Sequence, residues 1–337
     1  MAVTTPPTDV DLAEDKPSRL KESVSGQDHI FRTLCLAAAS TTLVIVVVTL
    51  IFLVAKAQPA FKASGYVGFF RHSYWLPDLQ LLVHGKTITT ARFGVVGILG
   101  NTILIALVAL CVGVPSALSM ALFINEYAPK RLSRLLTAAV DLLASVPSII
   151  FGVWALIALG GPTLHLSVFF ADHLSVFPFF RSTANAQYGA STFEAGLVVG
   201  VMVIPIITSI SRDVMAQCPR DQCEAALALG GTRWGMVRSV IFPFARSGMI
   251  GASILGLGRA LGETIAILLI VGQTYALNSH ILTEGSGSIA STIANLFEGE
   301  DALARSGLVA AGLVLFILTF AVNMVARVIV NRTGRFT

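Results

Sequence analysis

EAALALGGTRWGMVRSVIFP, residues 224–243, runs without a break into FARSGMIGASILGLGRALGE, residues 244–263, and this junction decides how the chain is built. The first segment is short-patterned and polar. Ala225, Ala226 and Leu229 give a brief helix with a small apolar face, Gly230-Gly231 stops it, and Thr232 is placed to cap a second helix. The second segment is mostly apolar over a length that suits lipid. A bent helical pair projecting from a membrane helix has the shape to dock in a groove on a soluble partner.

The composition agrees. Hydrophobic residues make up 55% of the 337 and charged residues only 12%, against about 25% charged in a soluble domain, so the chain reads as an all-α integral membrane protein. The net charge of +4 does not indicate nucleic-acid binding, because the basic residues fall at the ends of apolar runs and act as topology signals. Cys35 and Cys111 lie in apolar runs, while Cys218 and Cys223 flank the start of the hairpin. This spacing leads us to expect free thiols, with no disulfide framework and no zinc site. Residues 1–28 read as a disordered cytoplasmic tail, and 29–337 as a transmembrane domain with its cytoplasmic hairpin at 217–243.

Six apolar runs are long enough to span: 30–55, 93–123, 135–159, 193–210, 244–271 and 308–330. Gly113 and Pro115 are expected to tilt or kink the second. Polar connections are expected at 58–92, with interfacial aromatics, and at 160–192. Lys16, Lys21, Arg32, Lys130, Arg131, Arg134, Arg212, Arg220, Arg233, Arg238, Arg327, Arg332 and Arg335 all fall on one side. The positive-inside rule makes that side cytoplasmic, with both termini and the hairpin.

Arg259 and Glu263 are the most informative ionisable residues, placed near mid-membrane in the fifth run. Either alone costs about 2.5 to 3.5 kcal/mol to insert. Four apart on one helix they would share a face and pair, which serves either a structural role or a pathway in which Arg259 offers its planar fork to an oxyanion. Beside the path, Glu263 would discriminate ligands by protonation. Asp141, with Ser145, Pro147 and Ser148 beside it, is a further path candidate in the third run, or a packing partner for basic groups; Asn101 and Thr102 are weaker candidates. Gly248, Ala252, Gly256 and Ala260 form one row of small residues, with Gly258 and Gly262 in a second, which serves close helix packing within the chain or between subunits. GxxxxGK[ST], HExxH, GxSxG and Cys/His clusters are all missing, so neither ATP binding by a P-loop nor catalysis on this chain is expected. A passive anion channel and a signalling scaffold are the readings from other classes.

Glu224-Ala225-Ala226, then Gly230, then Pro243 have the spacing of the EAA loop of ABC-transporter permease subunits, and the chain resembles that family. LGLGRALGETIAILLIVGQTY at 255–275, GSGSIASTIANLF at 285–297, QDHIFRTLCL at 27–36, NEYAP at 125–129 and DLLASVPSIIFGVWAL at 141–156 are similar to the permease subunits of phosphate-specific ABC importers. They fit the PstC type more than its PstA partner. The likeness covers residues 27–333, with Gln273 where the family has Asn and Phe242 where Leu usually precedes Pro243. It implies the type I importer permease fold with six transmembrane helices in the plasma membrane. It also implies pairing with a homologous second permease of the PstA type, two cytoplasmic ATPase subunits of the PstB type and an extracytoplasmic phosphate-binding protein of the PstS type. ATP and Mg would sit on the ATPases, and no cofactor on this chain. Glu224, Ala225, Ala226, Gly230, Gly231 and Pro243 would couple the ATPase to the helices. Sulfate or molybdate import is the nearest alternative, because permeases for those anions carry sequences similar to the RALGE core.

Overall fold

Among the described residues, six helical stretches are long and apolar enough to cross a membrane: Gly26–Ser64, Val96–Tyr127, Ser148–His173, Thr192–Ala216, Arg233–Leu261 and Ala302–Val330. The computed structural model describes residues 26–83, 86–181, 188–272, 280–285, 287–299 and 301–333, with side chains described outside 77–91 and 331–333. Most of the tail expected at 1–28 lies outside the described residues, as do Gln273, Thr274 and Tyr275. Gly26, Gln27 and Asp28 do not belong to a tail; they open the first helix.

In chain order the elements are α1 (Gly26–Ser64), α2 (Tyr66–Phe69), strands β1 (Trp75–Val83) and β2 (Lys86–Phe93), and α3 (Val96–Leu122). Then come α4 (Lys130–Ala144), α5 (Ser148–Trp154), α6 (Gly160–His173), α7 (Thr192–Ala216), α8 (Arg220–Ala228), α9 (Arg233–Met236) and α10 (Phe242–Leu261). The chain closes with α11 (Ile265–Ile270), α12 (Ile289–Leu296) and α13 (Ala302–Thr333). Residues 26–50 form one body and 51–333 the other. The first is an apolar helix with nearly every side chain exposed, including Ile30, Leu43 and Ile45. Its Thr33, Thr41 and Thr42 hydroxyls donate to carbonyls four residues back, at 2.7, 2.9 and 3.3 Å, which satisfies them without water.

In the second body α7 is the hub, flanked by α3, α4 and α10 and buried around most of its girth. Its start is capped from both sides: the Ser191 hydroxyl accepts from Glu194 N at 3.1 Å, and the Glu194 carboxylate reaches back past the cap to accept from Ala190 N at 3.1 Å. Small residues let neighbours approach. A Cβ added to Gly196 would lie 2.5 Å from Val108 Cβ on α3, and one added to Gly256 would lie 2.5 Å from Ile207 Cδ1. The row Gly248, Ala252, Gly256, Ala260 thus packs on α7 within the chain, whereas Gly258 has open space around it. Replacing Gly256 by Leu should separate α10 from α7 at a cost of about 1 to 3 kcal/mol, seen as a lower unfolding temperature in detergent. Gly251→Leu, on the open side of α10, should leave it unchanged. Equal unfolding temperatures for both variants would show that the close approach is not needed.

The structure corrects the third span. Residues 135–159 are not one helix: α4 ends at Ala144, the Ser145 hydroxyl donates to Leu142 O at 2.7 Å, and Pro147 is extended at φ −60°, ψ 140°. Pro147 has no N–H to continue the α4 ladder and starts α5 instead. The spanning stretch is Ser148–His173, joined through a π-helical turn at Ala155–Leu159, so the connection expected at 160–192 is helical over its first part. The connection at 58–92 likewise contains an antiparallel hairpin, β1 with β2, pairing Trp75 with Phe93 and Val83 with Lys86. The second span runs on through Pro115 to a π-helical turn at Phe123–Tyr127.

Candidate functional site

The fifth span is interrupted where sequence placed its charge pair. α10 ends at Leu261, Gly262 sits at φ −92°, ψ 0°, and α11 starts at Ile265. A Gly followed by Glu and Thr favours this stop. The Thr264 hydroxyl turns back to Gly262 O at 3.0 Å, and a Glu263 carboxylate oxygen accepts from Ala266 N at 3.2 Å, capping the short α11. Arg259 and Glu263 therefore do not share a continuous helical face. Among the described residues no ion pair joins them: Glu263 is 7% exposed and turned to its own backbone, while Arg259 is exposed. Close packing draws Glu263 inward but not Arg259, because the break lies between them.

Two other segments meet Glu263 in a buried polar cluster. Ser288 caps α12, accepting from Ser291 N at 3.1 Å, and donates to Glu263 O at 3.3 Å. From α3, Thr102 accepts from Ile289 N at 3.0 Å and donates to Ile98 O at 2.6 Å. Asn101, Thr102, Ser288, Ser291 and Thr292 are all buried, and the Thr292 hydroxyl has no hydrogen-bond partner among the described residues. Loop His280–Gly285 steers α12 here: Phe193 N donates to Ile281 O at 2.9 Å and Gly285 N to Ala190 O at 3.1 Å. Thr102 lies six residues into α3, about 9 Å along its axis. The cluster thus sits toward the bundle end opposite the hairpin, not midway. Sequence marked Thr102 and Asn101 only weakly and did not mark Ser288 or Ser291. The cue was Ser288-Ile289-Ala290-Ser291, a capped start ahead of an apolar run.

Arg259 stands apart from this cluster, on a face of α10 shared with Gly251, Leu255, Gly258 and Gly262; Gly251 and Gly258 have nothing near them and the others are exposed. Its guanidinium makes no hydrogen bond or ion pair among the described residues. Asp141 lies on α4, outside the spanning stretches, exposed and accepting from the Ser209 hydroxyl on α7 at 3.3 Å. The structure does not bring it to Arg259 or Glu263.

At the opposite end lies the hairpin. α8 carries Glu224 and Ala225 on its exposed side, with Ala226 half-buried, and begins four residues earlier than Glu224, at Arg220. Gly230 has φ +84°, a left-handed conformation that glycine adopts without strain, and reverses the chain with exposed Gly231. Thr232 caps α9 by accepting from Gly235 N at 3.0 Å. α9 is not a separate arm. It passes through a π-helical turn, Phe242 N donating to Val237 O, into α10, and exposed Pro243 sits in the first turn of α10. Pro243 cannot donate to a carbonyl behind it, which accommodates the wider turn there. The tip, where Leu229 is 89% exposed, lies one bend away from a stretch that is continuous from Arg233 to Leu261 and carries Arg259.

The chain is thus a multi-pass helical membrane protein with a broken span and a helical hairpin continuous with that span. Residues 113–335 match the binding-protein-dependent transport system inner membrane component, and the chain belongs to that family, whose members are membrane subunits of importers located in the inner membrane. It is 40% identical over 306 residues to the phosphate transport system permease protein PstC 2 of Mycobacterium tuberculosis, covering 90% of this chain and 91% of the relative. To the phosphate transport system permease protein PstC of Xylella fastidiosa it is 36% identical over 310 residues, 91% and 92% of the two chains. Its fold is similar to a chain in the crystal structure of a bacterial ABC transporter involved in the import of the acidic polysaccharide alginate, with a TM-score of 0.57, 16% identity and coverage of 91% and 98%. The fold is therefore that of an ABC importer permease.

Proposed function

We propose that this chain is the permease subunit of an ATP-driven importer of inorganic phosphate. The observation that carries the substrate is its 40% identity, over nine-tenths of both chains, to a phosphate transport permease. In this reading a homologous second permease covers the open face of α10, so that Arg259 meets a pathway between the two chains. Arg259 supplies a fixed cation with a planar fork for a phosphate oxyanion. Glu263 keeps α11 and α12 in register beside it, and Asp141 tunes the path only through α4 and α7.

Two ATPase subunits hold ATP and Mg and grip the hairpins through Glu224, Ala225, Ala226 and the Gly230-Gly231 bend. A phosphate-binding protein delivers substrate at the opposite side. Both termini and the hairpin are cytoplasmic, and hydrolysis takes place on the partner chains. Closure of the ATPases pushes the hairpin, α9 carries the push through the turn before Pro243 into α10, and the bundle exposes its site alternately.

The test is uptake of labelled phosphate at low external concentration by cells lacking this chain and restored with it, in the presence of excess sulfate or molybdate. Uptake restored and unaffected by either competitor is the expected result. Suppression by sulfate or molybdate would assign the chain to that anion, and failure to restore uptake would remove phosphate.

A further inference from the structure

We propose that Cys218 and Cys223 form a reversible thiol-oxidation site, open to peroxide-class oxidants, that clamps the root of the hairpin. Their sulfurs lie 3.8 Å apart, one in the Gln217-Cys218-Pro219 link that joins α7 to α8, the other in the second turn of α8. A disulfide needs about 2.05 Å, so closure requires the sulfurs to move by less than 2 Å. Cys218 is held from behind by Met215, Met236 and Val237, while Cys223 is only partly covered. Both line an open cavity of about 380 Å³ with Glu126, Arg220, Glu224 and Arg233, which admits a small polar oxidant.

The two sulfurs have different tasks. Burial, followed by the neighbouring Cys223 and by Glu126, pushes the Cys218 thiol up to about 11, which keeps it protonated. The less covered Cys223 is the first to react. Its thiolate attacks hydrogen peroxide: an S–O bond forms, the O–O bond breaks, and the leaving hydroxide takes a proton to become water. The Cys218 sulfur, losing its proton, then attacks the sulfenic sulfur of Cys223; the S–S bond forms, the S–O bond breaks, and a second water leaves. Two thiols lose two electrons and one peroxide becomes two waters. In the reducing cytoplasm such a bond is transient, as expected of a sensor rather than a staple.

The consequence rests on the coupling role proposed above. With α8 tied to the end of α7, the link at Cys218-Pro219 cannot turn, and the hairpin is no longer free to follow the push that α9 carries into α10. The test uses the assembled transporter in membranes, treated with hydrogen peroxide and then with dithiothreitol. Trypsin cuts at Arg212, Arg220 and Arg233, so the disulfide joins peptide 213–220 to peptide 221–233. We expect that joined peptide in the oxidised protein, at least a fivefold fall in phosphate uptake, and recovery of both on reduction. Cys223→Ser and Cys218→Ser should keep their uptake under peroxide. Absence of the joined peptide would overturn the site, and equal loss of uptake in Cys223→Ser would overturn the clamp. The peptide is read without transport, so a chain that carried no phosphate would still show whether the site exists.

Discussion

Arg259→Ala should reduce phosphate uptake at least 100-fold without lowering the amount or stability of the protein in the membrane. The guanidinium is exposed and makes no hydrogen bond or ion pair among the described residues, so its removal leaves no group of this chain unsatisfied. Inserting a charge costs about 2.5 to 3.5 kcal/mol, and alanine removes that cost. In transport the loss is different. Two charge-assisted hydrogen bonds to an oxyanion are worth about 1.5 to 3 kcal/mol each, and 3 kcal/mol is already more than 100-fold. Arg259→Lys should fall between, since it keeps the charge without the fork. Uptake in cells and unfolding in detergent, measured on the same variants, separate the two effects. Full uptake by the alanine variant would place Arg259 off the pathway. Glu263 offers no such clean separation, because its carboxylate caps α11 and its carbonyl anchors Ser288.

The two residues also show what was legible in the chain. Their apolar surroundings identified them as ionisable groups worth explaining, and hydropathy located the second, fourth and sixth spans to within six residues at either end. The first runs on nine residues to Ser64, and the fifth lies ten or eleven residues earlier than its apolar run, because α9 joins it. Their mutual geometry was not legible. A spacing of four predicts a pair only on a continuous helix, and the Gly262-Glu263-Thr264 break depends on bonds from side chain to backbone that compete with the helical ladder. The third span failed for a related reason: Leu135 to Leu159 is apolar enough to span, but the ladder stops at Pro147, and exposed Leu135 and Leu142 belong to an amphipathic helix before it. The contacts that build the buried cluster join residues as far apart as Thr102 and Ile289, a separation that no local pattern encodes. The hairpin was read most fully because all its determinants are local: Gly230 for the reversal, Thr232 for the cap, Pro243 for the turn into α10.

Gly230→Pro should leave the chain inserted and ATP hydrolysis by the assembled transporter running, while uptake per ATP hydrolysed falls at least tenfold. Proline holds φ near −65° and cannot adopt the +84° found here. It also removes the N–H that donates to Leu227 O at 3.0 Å, and the reversal is tight enough that Gly231, with its N–H on Ala226 O at 3.3 Å, has no room to compensate: a Cβ there would lie 2.6 Å from the same oxygen. The damage stays at the tip, since Gly230 itself is exposed with nothing near it, and the apolar cluster at the root, with Met236, Val237 and Ile241, is untouched. Gly230→Ala tests the same point more gently, because a left-handed alanine costs about 1 to 2 kcal/mol and coupling should weaken without vanishing. Both quantities are read together in proteoliposomes supplied with the ATPase subunits and the binding protein. A proline variant that still moved phosphate in step with ATP would show that the push does not pass through this bend, and the continuity of α9 with α10 would then be only structural. A variant that hydrolysed ATP without transport would show that the bend at Gly230 determines how a push on the surface reaches the helix carrying Arg259.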